Sequence, residues 1–422
     1  MILGGGSSQI NLLKKCRALN LFTILADINP DAPGRQYCDS FVKVSTFDCD
    51  GALNAAEKLK IDAIATAGTD QPVFTSAFVA DRLSLPQFLT PLQAFSVTNK
   101  IAMKDIFSAC KIKTAGYKVI DLNTEKKEIA NLCPPYVIKP VDSQGQRGVM
   151  KLGSFEEVKN NISYALSFSR EKKILLEEFY DSDEITLSGW ISDGNLFILS
   201  ITDRVTFENP PAIGICLSHQ YPSPYMKTHN QEIIEITEKI IKSFHIKNGP
   251  VYFQYLIGSS GVFVNEIACR LGGAYEDEFI PAATGIDIAD LLIKASLGKG
   301  ITKKDFPGIK PSTAVFNDEY FSILLLFAKP GFVKSFSFPS PDDGDSSLLK
   351  SEIILKNNTL ITPLANSTQR AGYAILKNRS IKNLNLSIEK FIINSAITSD
   401  KNENILYNEI EKLIYKQGRR FN

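Results

Sequence analysis

The sequence predicts an α/β protein with α+β parts, organised as an N-terminal parallel α/β domain, a central mixed domain and a small C-terminal α+β domain. Over residues 1–98, apolar strand-like runs alternate with helical patterns, which is typical of a parallel sheet. Residues 99–302 are dominated by strand pairs around polar loops, with helical patterns at NKIAMKDIFSAC and QEIIEITEKIIKSFHI. Short β segments separated by turns follow over residues 303–422, and a polar amphipathic helix is expected near Glu403–Tyr415.

Composition excludes several classes of protein. The 422 residues leave ample length for a buried core, and 44% apolar with 22% charged residues is ordinary for a globular protein. Because 47 Lys and Arg nearly balance 46 Asp and Glu, no charge pattern indicates nucleic acid or an acidic membrane as partner. The apolar runs are too short to span a bilayer, and MILGGG does not resemble a signal peptide. The seven cysteines are scattered without a CxxC pair, so we expect reduced thiols and a cytoplasmic protein.

The first motif, ILGGGSSQINLLKKCRALNLFTILAD, predicts a strand, a glycine turn, a helix and a second strand. A dinucleotide-binding fingerprint requires a third glycine three residues after the second. Here Ser-Ser-Gln follows Gly4–Gly6, so that glycine is missing. Asp27 stands where a ribose-binding acid would, but an acid often ends a second strand. The motif therefore favours a glycine turn that packs the helix on the sheet, with NAD binding as the lesser alternative.

The segment VIKPVDSQGQRGV indicates a phosphate-binding loop. Lys139 ends an apolar strand and presents a fixed positive charge, to which Arg147 could add. Gly145 and Gly148 permit a tight loop whose backbone N–H groups could cover phosphates. No GKS or GKT follows, so this is not a Walker loop. From these residues alone, a surface hairpin with a partly buried lysine is an equally good interpretation.

The segment LLEEFYDSDEI predicts a strand followed by an acidic turn, with Glu177 and Glu184 seven residues apart. Such a strand edge could present its backbone to adenine, and the second carboxylate could meet ribose hydroxyls. Taken by itself, a solvated acidic loop is the simpler interpretation.

The segment VYFQYLIGSSGVFVNEIACRLGG predicts a β-hairpin around GSSG, with Gln254 and Glu266 on facing strands. In one register these two residues are opposite each other, and in a register shifted by one Asn265 takes the opposing place. Oxygen ligands so placed suit Mg²⁺ bound to nucleotide phosphates. If the strand continues, Arg270 shares the face of Glu266 and could hold a carboxylate or a phosphoryl group. A structural ion pair is the alternative.

Together and in this order, NKIAMK, VIKPVDSQGQRGV, LLEEFYDSDE and FVNEIACRLGG resemble the ATP-grasp superfamily, and the resemblance covers essentially the whole chain. It implies a pre-ATP-grasp α/β domain at residues 1–98, an ATP-grasp domain of two subdomains clamping ATP at 99–302, and a C-terminal α+β domain at 303–422. In such enzymes the first domain contributes to the acceptor-substrate side and binds no NAD. The chain looks most similar to the carboxylate–amine (amino-acid and dipeptide) ligases and the carbamoyl-phosphate-synthase-like branch.

The resemblance implies a role for each motif residue. ATP phosphates would be contacted by Lys100 or Lys104, by Lys139, and by the loop containing Ser143, Gly145 and Gly148. Adenine would meet Glu177 and the backbone near Phe179 and Tyr180, and ribose would meet Glu184. The metal ion, Mg²⁺ with Mn²⁺ as an alternative, would be held by Gln254 and Glu266. Lys139 and Arg270 are the expected catalytic residues, with Arg270 stabilising an acyl phosphate or binding a substrate carboxylate.

This chain departs from the family pattern at two positions. Many members have Glu where this chain has Gln254, and many have Asn where it has Ala268. Glu266 is then the one charged metal ligand that the resemblance identifies. A weakened or non-catalytic ATP site is therefore an alternative to a working one.

The function implied is an ATP- and Mg²⁺-dependent ligation of a small carboxylate to an amine through an acyl phosphate. A bicarbonate-using carboxylase is the nearer alternative, because EIACR also resembles the purine-pathway carboxylase. Arg204 and His219 lie in a Pro-rich stretch that should border the acceptor pocket, where each could orient substrate or merely fix a loop. Arg370 of the C-terminal domain could reach the site. Many members form homodimers, so a homodimer is compatible with the resemblance, although no interface stripe marks one.

Overall fold

The computed structural model describes residues 1–209, 212–314 and 318–416. Its first part is a parallel sheet in the order β1-β2-β3 covered by helices, as predicted. The apolar segment KIDAIATAG adds an isolated parallel bridge between Ile2 and Ala65. Small side chains such as Ala52, Ala56 and Ala80 let the helices pack closely on this sheet. The elements are β1 (Ile2–Leu3), α1 (Ile10–Ala18), β2 (Ile24–Asp27), β3 (Ser40–Lys43), α2 (Cys49–Leu59) and α3 (Gln71–Leu83).

Two consecutive helices, α4 (Pro91–Thr98) and α5 (Lys100–Ala109), lead into the central part. A capping box formed by Thr90 and Gln93 begins α4. The side chain of Asn99 accepts hydrogen bonds from two backbone N–H groups at the start of α5. The helix predicted at NKIAMK is therefore confirmed, and its N-terminal end is fixed beside the central sheet.

The central part is a large sheet in the order β12-β11-β8-β9-β10-β6-β5-β7-β4. Helix α6 covers the smaller half, β4 to β7, while α4, α5 and α7 pack on the larger half. The halves join where Met150 pairs with Ala212, so a cleft can form between them. The strands are β4 (Tyr117–Ile120), β5 (Tyr136–Pro140), β6 (Met150–Leu152), β7 (Ile174–Glu178), β8 (Ser182–Ser192), β9 (Asn195–Asn209), β10 (Ala212–Tyr221), β11 (Gly249–Gly258) and β12 (Gly261–Ala268). The helices are α6 (Phe155–Leu166), α7 (Asn230–Ser243), α8 (Glu276–Thr284) and α9 (Ile288–Ser296).

The Pro-rich stretch that was expected to border the acceptor pocket forms the long antiparallel pair β9 and β10. The prolines at 210 and 211 fall between the two strands in sequence, outside the described residues. Arg204 and His219 consequently lie on rigid neighbouring strands, where they pair directly.

The C-terminal part extends the central sheet, because β13 pairs with β10 and with β17, and β17 in turn pairs with β15. The prediction of a helix over Glu403–Tyr415 is wrong, because the helix found there is the short α11. The long helix of this part is α10, whose apolar residues recur at helical spacing and face the core. The elements are β13 (Tyr320–Leu326), β14 (Gly331–Ser337), β15 (Leu348–Ile353), β16 (Leu360–Ile361), β17 (Gly372–Asn378), α10 (Ile381–Ile393), β18 (Ala396–Ser399) and α11 (Ile410–Leu413).

Two expectations drawn from composition can be compared with the residues that the structure describes. None of their helices combines the length and apolar character needed to cross a membrane. All seven cysteines are free thiols. The predicted domain boundaries, the homodimer and the cytoplasmic location stay predictions.

Candidate active site

A cleft of about 790 Å³ is bordered by the N-terminal part, the central sheet and the segment around Arg370. Most of the residues singled out from the sequence line this one cleft, although they come from distant parts of the chain. Gly148 is not among its lining residues. Those that line it are Asp27, Lys100, Lys104, Lys139, Ser143, Gly145, Arg147, Glu177, Phe179, Tyr180, Glu184, Arg204, His219, Gln254, Glu266, Arg270 and Arg370.

At the centre of the cleft, one buried carboxylate holds two lysines. The Glu177 side chain is 3% exposed, and its carboxylate lies 2.5 Å from the ammonium nitrogen of Lys104 on α5. It also forms an ion pair with Lys139, which lies on the same face of β5, two residues beyond the residue that pairs with Glu177. Burial opposes ionisation of Glu177, but the two ammonium groups outweigh it and lower the pKa of Glu177 to about 2. The carboxylate therefore stays charged and fixes both cations.

These contacts differ from the predicted contact of Glu177 with adenine. The carboxylate faces the lysines, so its surroundings favour a positioning role. The neighbouring aromatic residues are held in place separately. Tyr180 stacks on Phe263 with 4.2 Å between ring centroids and donates a hydrogen bond to the carbonyl of Gly261 at 2.9 Å. The ammonium group of Lys151 lies 3.4 Å from the ring centroid of Phe179.

The glycine loop after β5 is fixed by contacts from several directions. Lys100 donates a hydrogen bond to the carbonyl of Ser143 at 2.8 Å, so its ammonium group supports the loop. Gly145 and Gly148 have φ of +70° and +72°, the left-handed region that favours glycine. At Gly148 a Cβ would also lie 2.9 Å from the side chain of Phe168. This close approach explains why glycine is required at position 148, although the residue does not line the cleft.

The hairpin formed by β11 and β12 answers the question of register left open by the sequence. Gln254 pairs directly with Glu266, and a β-bulge follows, because Tyr255 pairs with Val264. Asn265 is the additional residue of this bulge. Its side-chain oxygen accepts a hydrogen bond from Lys139 at 2.8 Å, and its side-chain nitrogen lies 3.4 Å from the Gln254 oxygen.

Asn265 was therefore missed as a site residue, although its place in the sequence beside Glu266 raised it as a register alternative. The bulge brings both residues into the cleft, whereas a regular strand would have directed them to opposite faces.

The donor set of this hairpin fits a magnesium ion that arrives with a nucleotide. Within the described residues there is no cluster of three or more His, Cys, Asp or Glu side chains that could hold a metal by itself. The Glu266 carboxylate makes no hydrogen bond or ion pair with those residues, so its oxygens are available. Mg²⁺ is commonly bound by one or two carboxylates together with phosphates and water. Glu266, assisted by the Gln254 amide oxygen, meets that requirement, while Ala268 offers no side-chain oxygen.

Arg270 lies beyond the end of β12, which stops at Ala268, so the condition under which it would share a strand face with Glu266 is not met. Its guanidinium nitrogens Nε and Nη2 lie 2.8 and 2.7 Å from the carboxylate of Asp70. Its side chain also lies over the ring of Tyr252, 4.6 Å from the centroid. Because Asp70 precedes α3, this ion pair connects the N-terminal part of the chain to the cleft.

Arg204 on β9 forms a buried ion pair with Glu184 on β8 and donates a hydrogen bond to the carbonyl of Gly214 at 2.6 Å. Glu184 was predicted to meet ribose, and Arg204 to border the acceptor pocket. The structure places both at the cleft and pairs them with each other.

His219 on β10 is buried beside two hydroxyl groups. Its Nδ1 atom lies 2.9 Å from the Thr202 hydroxyl and 3.4 Å from the Thr186 hydroxyl. Burial, followed by the positive charges of Arg204 and Arg370, lowers the pKa of His219 to about 3. The imidazole is therefore neutral at ordinary pH and is held by strand hydroxyls.

Comparison with known proteins adds family information to this geometry. Residues 132–277 match the ATP-grasp domain family. The large chain of carbamoyl phosphate synthase from Thermoanaerobacter sp. (strain X514) is 24% identical over 196 residues, 45% of this chain and 17% of that protein. The matched segment covers less than half the length of these curated relatives.

Solved structures match almost the whole chain. The L-amino acid ligase from Bacillus licheniformis has a TM-score of 0.78 at 16% identity, covering 94% of this chain and 98% of that one. Phosphoribosylglycinamide synthetase from Anaerococcus prevotii has a TM-score of 0.73 at 19% identity, with the same coverage of both chains. At these identities the likeness establishes the fold, and the reaction has to be argued from the site.

Proposed function

We propose that this chain, which carries an ATP-grasp domain, is an ATP-dependent ligase that joins a small carboxylate to an amine through an acyl phosphate. The observation that carries the proposal is the convergence, in one cleft, of two paired lysines, a hairpin that presents carboxylate and amide oxygens, and an arginine. Lys104 and Lys139 supply the positive charge, Glu266 the metal ligand, and Arg270 the guanidinium group. The whole-chain likeness to an L-amino acid ligase is a likeness of fold, with which this reaction class is compatible.

The lysines would bind and orient the phosphates of ATP. Glu177 holds both ammonium groups in place before any ligand enters, so little reorganisation is needed when negative charge accumulates on the phosphates. The glycine loop would cover the phosphates with backbone N–H groups, and Lys100 supports it from below. Lys104 and Lys139 would therefore supply the positive charge that binds the phosphates, whereas Lys100 would hold the glycine loop in place.

Glu266 and Gln254 would hold the metal ion, with Asn265 linking the same hairpin to Lys139. When bound, Mg²⁺ neutralises phosphate charge and favours departure of ADP. The single carboxylate on this hairpin makes the affinity of the chain for the ion depend on the nucleotide.

In the proposed first step, an oxygen of the substrate carboxylate attacks the γ-phosphorus, the bond from that phosphorus to the bridging oxygen breaks, and ADP departs. In the second step, the amine nitrogen attacks the acyl carbon, the bond from that carbon to the phosphate oxygen breaks, and phosphate departs. The amine loses one proton as the amide forms. No side-chain nucleophile is required; positioning and charge stabilisation by Lys104, Lys139 and Arg270 are the contribution of the chain.

A protein that binds ATP without catalysis is a second candidate, favoured by one specific observation. Gln254 and Ala268 leave Glu266 as the one carboxylate on the metal-binding hairpin. A hairpin of this kind could hold Mg-ATP and still fail to stabilise the transferring phosphoryl group.

The experiment that tests the proposal measures ADP and phosphate release from Mg-ATP. Purified protein is screened against pooled amino acids, other small carboxylates, amines and bicarbonate. Lys139→Ala serves as the inactive variant, and Lys127→Ala, which removes a lysine that is 79% exposed, serves as the matched control. We expect release that requires both an acid and an amine, is lost in Lys139→Ala and is retained in Lys127→Ala.

Other outcomes would change the conclusion. Release that requires bicarbonate and one amine would support the carboxylase alternative. ATP binding without release from every pool would support the non-catalytic candidate. Wild-type turnover by Lys139→Ala would contradict the assigned site.

A further inference from the structure

We infer that the hydroxyl group of Tyr252 donates a hydrogen bond to the phosphoryl group transferred from ATP, which makes Tyr252 a further catalytic residue. This inference rests on the proposed use of ATP and assigns one more residue to the same site. Its structural basis is a buried phenol that lines the cleft beside Gln254 and Glu266.

Tyr252 lies on β11 two residues before Gln254, so both side chains lie on the same face of that strand. On β12, Gln254 pairs with Glu266 and Tyr252 pairs with Ala268. Tyr252, Gln254 and Glu266 all line the cleft. The phenol is therefore a neighbour of the two residues proposed to hold Mg²⁺, about 7 Å along the strand from Gln254.

The residues opposite Tyr252 on both neighbouring strands are small. They are Ala268 on β12 and Ser188 on β8. Neither side chain is as long as a phenol, so Tyr252 extends beyond both of them on the face that borders the cleft. Ala268 stands where many members of the resembled family have Asn. In this chain the larger polar side chain of the pair is thus on β11.

Arg270 borders Tyr252 on the side away from Gln254. Its guanidinium lies 4.6 Å from the centroid of the Tyr252 ring, and its ion pair with Asp70 holds it there. Ala268, the partner of Tyr252, falls midway in sequence between Glu266 and Arg270. In the proposed reaction the phosphoryl group passes from a nucleotide bound to the metal ion toward a substrate near Arg270. The phenol lies along that path.

The Tyr252 hydroxyl is an unused hydrogen-bond donor. Tyr252 is 5% exposed, and its hydroxyl makes no hydrogen bond with any residue that the structure describes. Tyr255 on the same strand differs, because its hydroxyl lies 2.6 Å from the Thr237 hydroxyl. A phenol is protonated at neutral pH, and a buried donor without an acceptor is unfavourable. The geometry therefore calls for an acceptor from outside the chain.

An oxygen of the transferring phosphoryl group is the acceptor that fits this position. Negative charge is spread over its three equatorial oxygens during transfer, and hydrogen bonds to charged oxygens are stronger than neutral ones. The lysines held by Glu177 would contact the nucleotide phosphates, and Tyr252 would contact the phosphoryl group from β11. A substrate carboxylate is the other source of charged oxygens near Arg270, so the experiment must separate the two.

The first measurement compares two nucleotides and requires no turnover. Isothermal titration calorimetry gives the Kd of the intact chain for Mg-ADP and for the magnesium complex of β,γ-methylene-ATP, which carries a γ-phosphoryl group that is not transferred. Tyr252→Phe removes only the hydroxyl oxygen. It should weaken binding of the ATP analogue by about tenfold to a hundredfold and change binding of Mg-ADP by less than about twofold. An equal effect on both nucleotides, or no effect on either, would overturn the inference.

Tyr255→Phe is the matched control, because it removes the same atom from a buried tyrosine on the opposite face of the same strand. It should bind both nucleotides as wild type does and unfold at a lower temperature, since it loses the hydrogen bond to Thr237. Tyr252→Phe should unfold without nucleotide at the wild-type temperature or above. A fall as large as that of Tyr255→Phe would show that the Tyr252 hydroxyl has a partner in the chain and would overturn the inference.

Turnover separates the phosphoryl group from the substrate carboxylate. With an acid and amine pair found in the pooled screen, Tyr252→Phe should lower kcat by on the order of a hundredfold and leave KM for the acid nearly unchanged. A raised KM for the acid at wild-type kcat would assign the hydroxyl to the substrate carboxylate and overturn the inference.

Failure of the proposed ligase function is recognised separately. Absence of turnover with every acid and amine pair, while Tyr252→Phe still weakens binding of the ATP analogue selectively, would contradict the ligase reaction alone. A wild-type chain that binds neither nucleotide would overturn both the use of ATP and the role of Tyr252.

Discussion

The side-chain oxygen of Gln144 accepts a hydrogen bond from the backbone N–H of Asp70 at 2.9 Å, although the two residues belong to different parts of the chain. It also lies 3.3 Å from the N–H of Gln71. Asp70 occupies the N-cap position of α3 but makes no side-chain cap, because its carboxylate pairs with Arg270. The glycine loop of the cleft thus caps a helix of the N-terminal part, and Asp70 connects that cap to Arg270.

We expect Gln144→Ala to lower the free energy of unfolding by about 1 kcal/mol, the usual cost of losing a helix cap. Affinity for ATP should fall as well, because the loop loses its attachment to α3. Ser380→Ala is the matched control, since Ser380 caps α10 by accepting the N–H of Asn383 away from the cleft. Denaturant unfolding and nucleotide titration measure the two effects. Equal ATP affinity in both variants would show that the attachment does not influence the loop.

Glu177→Gln should be among the most destabilising substitutions in the chain. It removes the charge that balances Lys104, which is 3% exposed, and Lys139, so two cations remain close together. Removing one partner from a buried ion pair typically costs about 3–5 kcal/mol. Glu57→Gln, at an exposed helical position, provides the control and should change stability by less than about 0.5 kcal/mol. Urea unfolding at neutral pH measures both, and similar values would contradict the arrangement.

The same carboxylate gives a pH dependence with a defined sign. Its pKa in the folded chain is about 2, below the ordinary value of 4.5, so its stabilising contribution is complete above pH 4.5. That contribution is lost as the pH falls toward 2, where the folded state must take up the proton. Wild type should therefore lose stability more steeply than Glu177→Gln between these two pH values. Parallel curves would show that Glu177 is not held ionised by the lysines.

The site was predictable where a motif lies on one or two neighbouring strands. The spacing around GSSG placed Gln254 opposite either Glu266 or Asn265, and the structure has Glu266 there. The apolar run before Lys139 placed that lysine at a strand end. The bulge at Asn265 could not be predicted, because its two registers fit the hydrophobic pattern equally well.

Contacts between distant segments were not predictable from the sequence. Asp70 and Arg270 are 200 positions apart, and no local pattern indicates that one neutralises the other. The same holds for Glu177, whose position in LLEEFY indicates a strand but not which cations the fold brings to it. No helix was predicted over Ile381–Ile393, where α10 lies, and the helix expected near Glu403–Tyr415 is reduced to the short α11.

Two substitutions on the β11–β12 hairpin should change the Mg²⁺ requirement for ATP turnover in opposite directions. Glu266→Gln removes the charged ligand of the hairpin and should raise the Mg²⁺ concentration needed for half-maximal ATP turnover by on the order of tenfold or more. Gln254→Glu adds a carboxylate directly opposite and should lower that concentration. Titration of Mg²⁺ at fixed ATP measures both. Shifts in the same direction would show that the hairpin does not hold the ion.

His219 should make the stability of the chain depend on pH. Burial and the guanidinium groups of Arg204 and Arg370 lower the pKa of His219 from 6.5 to about 3. Between those values the unfolded chain binds a proton at this position and the folded chain does not. Stability should therefore fall as the pH drops below 6.5, by about 1.4 kcal/mol per pH unit from this group.

His219→Asn removes the titrating group and should flatten that part of the curve, whatever its effect at neutral pH. His245→Asn, at an exposed histidine with positive φ that Asn tolerates, should keep the wild-type slope. Unfolding curves at intervals from pH 7 to pH 4 supply the slopes, and equal slopes for the two variants would place His219 in a solvated setting rather than beneath the arginines.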